Sequence, residues 1–222
     1  MRESIRQFVK ICTEAFPTPE PIYEFGSLQI EGQEGFANLR LFFPNKKYIG
    51  ADLQHGIGVD VILSLYSVDL PSNSVGTVLV MDTLEHVEYV RKSISEVYRI
   101  LKPDGIFILS SVMNFPIHDY PHDYWRFTPE AFGILLKPFA YSFVGFAGDY
   151  RFPHTVIGIG VKGFIPRDAI DRFVQKYEHW QRLFSYLHGS SKERFLTQFI
   201  PPIALKTYLR TKSKLFGVKT CF

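Results

Sequence analysis

Short apolar runs, separated by turn-forming residues, follow one another from residue 21 to residue 162. In the first part of this region they are IYEFGS, YIGADL, VDVILSL, TVLVMD and IFILSSV. Each run is rich in β-branched or aromatic residues and is nearly continuous rather than alternating, which is the pattern of strands covered on both faces of a sheet. We therefore predict a series of buried, mostly parallel strands.

Helical spacing appears between and around these runs. Residues 85–101 carry one apolar face that ends at KPDG, where Pro103 cannot continue a helix and Gly105 permits a reversal. Residues 1–18 carry a second amphipathic helix. Strands that alternate with helices predict an α/β fold, a doubly wound and mostly parallel seven-stranded sheet of the Rossmann-like kind.

The end of the chain has a different pattern. The runs AYSFVGFAG and TVIGIGVKG are joined by a short polar link, which predicts an antiparallel final strand. From residue 166 the spacing is helical, and the last segment is basic. We expect a domain at 1–165, with its N-terminal helix at 1–18, and a helical, basic appendage at 166–222. The appendage could cover a site, carry an anionic acceptor or form a homodimer.

Composition narrows the class of protein. The chain has 222 residues, of which 46% are hydrophobic, and a net charge of +3. It has no arginine-rich run and no stretch of roughly 20 apolar residues, so neither a nucleic acid partner nor a transmembrane segment is expected. Cys12 and Cys221 have neither metal-ligand nor redox spacing, which favours a cytoplasmic location.

Candidate ligand contacts follow successive predicted strands. In an open parallel sheet, ligands bind beyond the carboxyl ends of the strands. Gly26 would let the backbone approach a ligand, Asp52 could accept the hydroxyls of a ribose, and Asp69 could accept an adenine amino group. Each also has an ordinary structural explanation as a turn or loop residue. Because such residues recur after successive predicted strands, they together favour a nucleotide-like ligand.

Several of these segments together resemble one family. The segments EFGS, YIGADL, SVDLP, LEHV and RILKPDGIFILSSV are similar to those of the class I S-adenosylmethionine-dependent methyltransferases, particularly the small-molecule type 11 group. The resemblance covers about residues 20 to 165. It implies that the cofactor is S-adenosylmethionine, with S-adenosylhomocysteine as product. The residues it implies for the cofactor are Glu24, Gly26, Ser27, Asp52, Leu53, Asp69, Leu70, Met81 and Asp82.

The glycine loop departs from the family pattern. The usual loop is acid-x-glycine-x-glycine, whereas Gly26 is followed here by Ser27-Leu28-Gln29, and the next glycines are Gly32 and Gly35. We therefore expect the loop to take another path. A subgroup with glycine-serine here and a YPxDxWRF-like stretch after the fifth strand shares this departure.

The stretch HDYPHDYWRFTP follows the fifth predicted strand and would project over the cofactor. Its first half is interpreted as an acceptor-facing lid and WRFTP as an anchor, with Trp125 and Phe127 buried and Thr128 capping the next helix. The candidate catalytic residues are His118, His122, Asp119, Asp123 and, in reserve, His86. The candidate acceptor contacts are Tyr120, Tyr124 and Arg126.

No metal is expected in this stretch. His118 and His122 have the spacing of two ligands on one helical face, but Pro116 and Pro121 oppose a regular helix, and the sequence offers no evident third ligand.

The sequence thus predicts methyl transfer to a small-molecule or glycan-like acceptor, at a hydroxyl that a histidine would deprotonate. An alternative is a non-catalytic module that keeps the fold for binding or regulation. A dinucleotide oxidoreductase is weaker, since the chain lacks the glycine fingerprint of such enzymes.

Overall fold

A computed structural model describes residues 1–118 and 122–186. Its helices and strands alternate along most of the chain. In order they are α1 (Glu3–Ala15), β1 (Ile22–Phe25), the 3-10 helix η1 (Leu39–Phe42), β2 (Tyr48–Asp52), β3 (Val61–Ile62), β4 (Val75–Met81), the 3-10 helix η2 (Leu84–His86), α2 (Val90–Ile100), β5 (Leu101–Val112), α3 (Pro129–Leu135), β6 (Tyr141–Asp149), β7 (Pro153–Val161), α4 (Arg167–Phe184) and β8 (Ser185–Tyr186).

The strands form one mixed sheet in the order β3-β2-β1-β4-β5-β7-β6-β8. Strands β1 to β5 pair in parallel, while β7 is antiparallel to both β5 and β6. The predicted doubly wound sheet with an antiparallel strand at its end is therefore confirmed. A short eighth strand, β8, adds to the far edge beside β6.

Both faces of the sheet are buried, as the continuous apolar runs predict. Successive residues of β4 alternate between two core clusters: Val78 and Val80 face one, and Leu79 and Met81 face the other. Helices α2 and α3 cover the first face, while α1 and α4 cover the second. This alternation follows from the two-residue period of a strand. The strand order reverses between β1 and β4, so their carboxyl ends open a crevice at that edge.

The helix predicted over residues 85–101 is interrupted. The described chain makes η2, leaves helical geometry at Val87, and resumes as α2 at Val90. The carbonyl of Glu85 accepts from the backbone N–H groups of Tyr124 and Trp125 instead of from the next helical turn. The prediction was wrong here because a distant segment competes for that carbonyl.

Helix α4 packs against α1 within the compact unit Met1–Tyr186. Phe173 and Trp180 of α4 are buried against Phe8 of α1. The helical region predicted from residue 166 thus begins inside this unit. The remainder of that region, with its basic segment and its proposed dimer contacts, lies outside the described residues. In the part that is described, no helix is long and apolar enough to cross a membrane.

Candidate functional site

The loop after β1 approaches β4 at a glycine. Gly26 has a φ of +79°, and a Cβ there would lie 2.1 Å from Oγ1 of Thr83. Its N–H and that of Ser27 donate to the carbonyl of Ala51 at the end of β2. Both the backbone conformation and the available space therefore require glycine at this position.

Asp52 closes the same loop from the end of β2. One carboxylate oxygen accepts from the N–H of Leu28 at 3.1 Å, and the other accepts from Leu53 and Gln54 at 2.7 and 3.2 Å. The carboxylate is thus held at the crevice by three backbone donors while remaining partly exposed. The glycine loop was predicted to depart from the family's usual path, and in the structure it passes around the carboxylate of Asp52.

The loop after β3 carries an unpaired polar atom. Within the described residues, Oγ of Ser64 is buried without a hydrogen-bond partner, whereas Asp69 is exposed farther along the loop. Arg99 of α2 fixes the following backbone by donating to the carbonyls of Val68 and Leu70. Sequence reasoning missed Ser64, since an isolated serine gives no signal until its surroundings are known.

At the end of β1, Glu24 is buried and accepts a 2.6 Å hydrogen bond from the hydroxyl of Tyr48. Burial raises the pKa of Glu24 to about 7, against the lowering effect of that hydrogen bond.

At the end of β4, Met81 is buried and Asp82 has a φ of +45°. A carboxylate oxygen of Asp82 accepts from the hydroxyl of Ser110 at 3.0 Å, and the other lies 3.8 Å from Arg2. Arg2 comes from the start of α1 and was missed by sequence reasoning. The ends of β4, β5 and α1 therefore meet beside the crevice.

Residues 122–125 of the segment after β5 are bound to η2 and to Val87, which follows it. The N–H groups of Tyr124 and Trp125 donate to the carbonyl of Glu85, and the indole of Trp125 donates to the carbonyl of Val87 at 2.9 Å. The carbonyl of His122 lies 2.6 Å from Nδ1 of His86. This placement brings His86, which follows β4, close to His118 and His122, which follow β5.

His86 and His118 lie face to edge, with ring centroids 4.8 Å apart. Nδ1 of His118 lies 3.1 Å from a carboxylate oxygen of Asp123, which also accepts from the backbone N–H of His118. The nearby guanidinium of Arg126 holds the pKa of Asp123 well below its ordinary value. Burial lowers the pKa of His86, which favours a neutral imidazole.

Glu85 lies behind this histidine pair and is fully buried. One of its carboxylate oxygens accepts from the hydroxyl of Ser111 at 2.6 Å, and the other has no hydrogen-bond partner among the described residues. Burial, reinforced by the charge of Asp82, raises its pKa. From the sequence alone, Glu85 is interpreted only as a favourable negative charge in the first turn of a helix.

The predicted acceptor contacts differ in their surroundings. The guanidinium of Arg126 bonds Asp123 and the carbonyls of Phe115 and Pro116, so its donors already serve the segment itself. The side chain of Tyr124 is exposed beside His122. Asp119 and Tyr120 lie outside the described residues.

The anchor predicted at WRFTP is partly confirmed. Phe127 is buried, and Oγ1 of Thr128 accepts from the N–H of Ala131 at the start of α3. Trp125, predicted to be buried, is 45% exposed. The hydrogen bond of its indole to Val87 fixes the ring at the surface, which residue type alone does not indicate.

Comparisons with known proteins point to one family. Residues 44–109 match a family model described as a methyltransferase domain, and no curated protein matches the chain by sequence. The fold resembles that of 1,6-didemethyltoxoflavin-N1-methyltransferase from Burkholderia thailandensis, solved with bound 1,6-didemethyltoxoflavin and S-adenosylhomocysteine. The TM-score is 0.54, with 16% identity over 73% of this chain and 79% of that one. The YcgJ protein of Bacillus subtilis gives a TM-score of 0.51 and 14% identity over 72% of this chain and 99% of that one.

Proposed function

We propose that this chain, which is a class I S-adenosylmethionine-dependent methyltransferase, transfers the cofactor's methyl group to a hydroxyl of a small polar acceptor, glycan-like molecules included. The observation that carries the proposal is that the segment after β5 brings polar and imidazole groups to the same sheet edge as the glycine loop and Asp52. A cytoplasmic location stays a prediction.

The residues at the crevice fit the cofactor. At Gly26 the backbone of the loop lies against Thr83, where any side chain would clash, and the partly exposed carboxylate of Asp52 has lone pairs suited to ribose hydroxyls. The unpaired hydroxyl of Ser64 offers a polar partner for the adenine side, together with the predicted contact at Asp69. The remaining predicted cofactor contacts are Glu24, Ser27, Leu53, Leu70, Met81 and Asp82.

The bound cofactor supplies an electrophilic methyl group on a positively charged sulfur. The protein has to hold the acceptor oxygen in line with that group, and orientation can contribute roughly 7 to 11 kcal/mol. The segment after β5 is suited to this task because its hydrogen bonds to Glu85 and Val87 fix it against η2. Tyr124 is the described aromatic side chain we assign to the acceptor.

An alcohol must also lose its proton. We assign the activation of the hydroxyl to the pair His86 and His118, with Asp123 as the positioning residue for His118. This arrangement supports the predicted pairing of a histidine with an aspartate: the described partner is Asp123, and Asp119 lies outside the described residues. His122 contributes its carbonyl to His86, and a role for its imidazole stays a prediction.

Ligand binding provides the first test. We expect S-adenosylmethionine and S-adenosylhomocysteine, but not NAD, to bind the full chain in a calorimetric titration. Asp52→Ala should weaken this binding at least tenfold, because a charge-assisted hydrogen bond contributes roughly 1.5 to 3 kcal/mol.

Asp104→Ala is the matched control, since Asp104 is exposed near the start of β5, at the opposite end of the sheet. Release of S-adenosylhomocysteine with a panel of monosaccharides, phenols and amines then identifies the acceptor class. Turnover with amines alone would contradict the hydroxyl assignment, and failure to bind either sulfur compound would contradict the function.

A further inference from the structure

We propose that Glu85, His86 and His118 form a binding site for one divalent transition-metal ion, with Zn²⁺ as its simplest representative. Each of the three residues offers a ligand atom, and these atoms all lie within 4.8 Å of one another. Two imidazoles and one carboxylate are a ligand set that Zn²⁺ accepts while keeping a further position open. The sequence offered no third ligand because Glu85 lies after a different strand from His118.

The distances require a small adjustment. Bonds of about 2.0 to 2.2 Å place the ligands of one ion roughly 3 to 3.5 Å apart. Glu85 is fixed in the core by Ser111, whereas His118 belongs to a half-exposed segment. We therefore assign to His118 the movement that brings the three ligand atoms to this spacing.

The outer nitrogen of each imidazole already has a partner. Nδ1 of His86 lies 2.6 Å from the carbonyl of His122, and Nδ1 of His118 lies 3.1 Å from Asp123 and 3.2 Å from the carbonyl of Pro116. Donation of an Nδ1–H to a carbonyl or carboxylate leaves the lone pair on Nε2, which is the arrangement found around metal-bound histidines. The two rings are therefore preset as Nε2 ligands.

The carboxylate supplies an independent observation. Glu85 is fully buried, and one of its oxygens has no hydrogen-bond partner among the described residues. A buried carboxylate without a compensating partner is costly, and a bound cation is one of the few groups that satisfy it. The negative charge of Asp82 also acts on Glu85 and adds to the cost of an uncompensated carboxylate there.

The role of the ion, unlike its binding, rests on the proposed function. An acceptor hydroxyl bound to the ion would lose its proton to solvent. The oxygen lone pair would then form the bond to the methyl carbon while the carbon–sulfur bond breaks and its electron pair returns to sulfur. His86 and His118 would thus activate the hydroxyl through the ion rather than by taking up its proton.

Metal binding is testable without cofactor or acceptor. Full-length protein without a histidine tag is treated with a chelator, dialysed and titrated with Zn²⁺ in a calorimeter. We expect one ion per chain, and binding at least about 100-fold weaker in His118→Ala and in Glu85→Gln. Asp123→Asn should weaken binding about 10- to 100-fold, because it removes the negative charge from the outer partner of His118.

His179→Ala is the matched control, since His179 is exposed on α4 and should leave binding unchanged. X-ray absorption of the Zn²⁺-loaded wild type should show two imidazole nitrogens in the first shell, and this measurement needs no variant. Equal Zn²⁺ binding by wild type, His118→Ala and Glu85→Gln, or no binding of one ion per chain, would overturn the proposal.

The two proposals fail separately. Cofactor binding and methyl transfer that persist after chelation would contradict the catalytic role of the ion and leave the histidines as a base, with the proposed function intact. Zn²⁺ binding without cofactor binding would support the metal site and contradict the proposed function.

Discussion

Two carboxylates near the crevice show how surroundings decide the charge of a single residue. Glu24 has a hydroxyl for a partner, and burial raises its pKa to about 7. The side chain of Asp123 is also largely enclosed, but it bonds the guanidinium of Arg126, which lowers its pKa. In an enclosed site, a carboxyl group is therefore ionised at neutral pH when a cation is beside it, and resists ionisation when only a hydroxyl is.

Glu24→Gln tests this difference through stability. In the folded protein the pKa of Glu24 is about 7, whereas its ordinary value is 4.5, so the unfolded chain loses the proton first as the pH rises. The contribution of the neutral carboxyl is complete below about pH 4.5 and is lost between about pH 4.5 and 7. We expect the wild type to lose up to about 3 kcal/mol relative to Glu24→Gln over that range.

Urea unfolding of the cofactor-free proteins from pH 4.5 to 8 measures this loss. Glu178→Gln, at an exposed position of α4, should run parallel to the wild type. A constant difference between wild type and Glu24→Gln across the pH range would contradict the assigned pKa.

At the scale of elements, the decisive contacts join segments far apart in the chain. Helices α1 and α4 meet around Trp180, whose indole donates to the carbonyl of Ser4 at 2.8 Å and whose ring packs 5.8 Å from that of Phe8. The start of α1 also carries Arg2 to Asp82. The fit between α1 and α4 thus helps to position one wall of the crevice.

Trp180→Ala should remove this packing and destabilise the protein by about 3 to 5 kcal/mol, the usual cost of truncating a buried aromatic residue. Trp180→Phe should cost less, since it keeps most of the contact and loses the hydrogen bond to Ser4. Thermal and urea unfolding measure both. Leu183→Ala, at a largely exposed position of the same helix, should change stability little, and equal effects of Trp180→Ala and Leu183→Ala would show that α4 is not held through its buried face.

At the scale of the whole molecule, cofactor binding should stabilise the fold, because the glycine loop, Asp52 and the loop after β4 come from different parts of the sheet. A ligand at 100 times its Kd contributes about 2.7 kcal/mol, which corresponds to a rise in Tm of roughly 5 to 11 °C for a domain of this size. S-adenosylhomocysteine should produce this rise in the wild type.

Gly26→Ala should reduce that rise, since the added Cβ would lie 2.1 Å from Thr83 and the positive φ disfavours alanine. Gly133→Ala is the control, because a Cβ there, in α3, meets nothing within 4 Å. Differential scanning fluorimetry with and without the ligand measures both variants. An undiminished rise in Gly26→Ala would exclude the loop from the cofactor site.

The sequence by itself determined the fold class, the first seven strands and the sheet edge at which Gly26 and Asp52 meet. These follow from local rules, since continuous apolar runs must be covered on both faces and parallel strands end at a common edge. The cap at Thr128 and the antiparallel pairing of β6 with β7 are equally local.

Only the tertiary structure decided which groups share the site. It broke the predicted helix at η2, paired His118 with Asp123, exposed Trp125 and brought Glu85 to the two histidines. These outcomes depend on hydrogen bonds between residues distant in the chain. The spacing of apolar residues along the sequence does not indicate such bonds. Periodicity identifies the face on which a side chain lies, whereas its partner depends on how segments after different strands pack together.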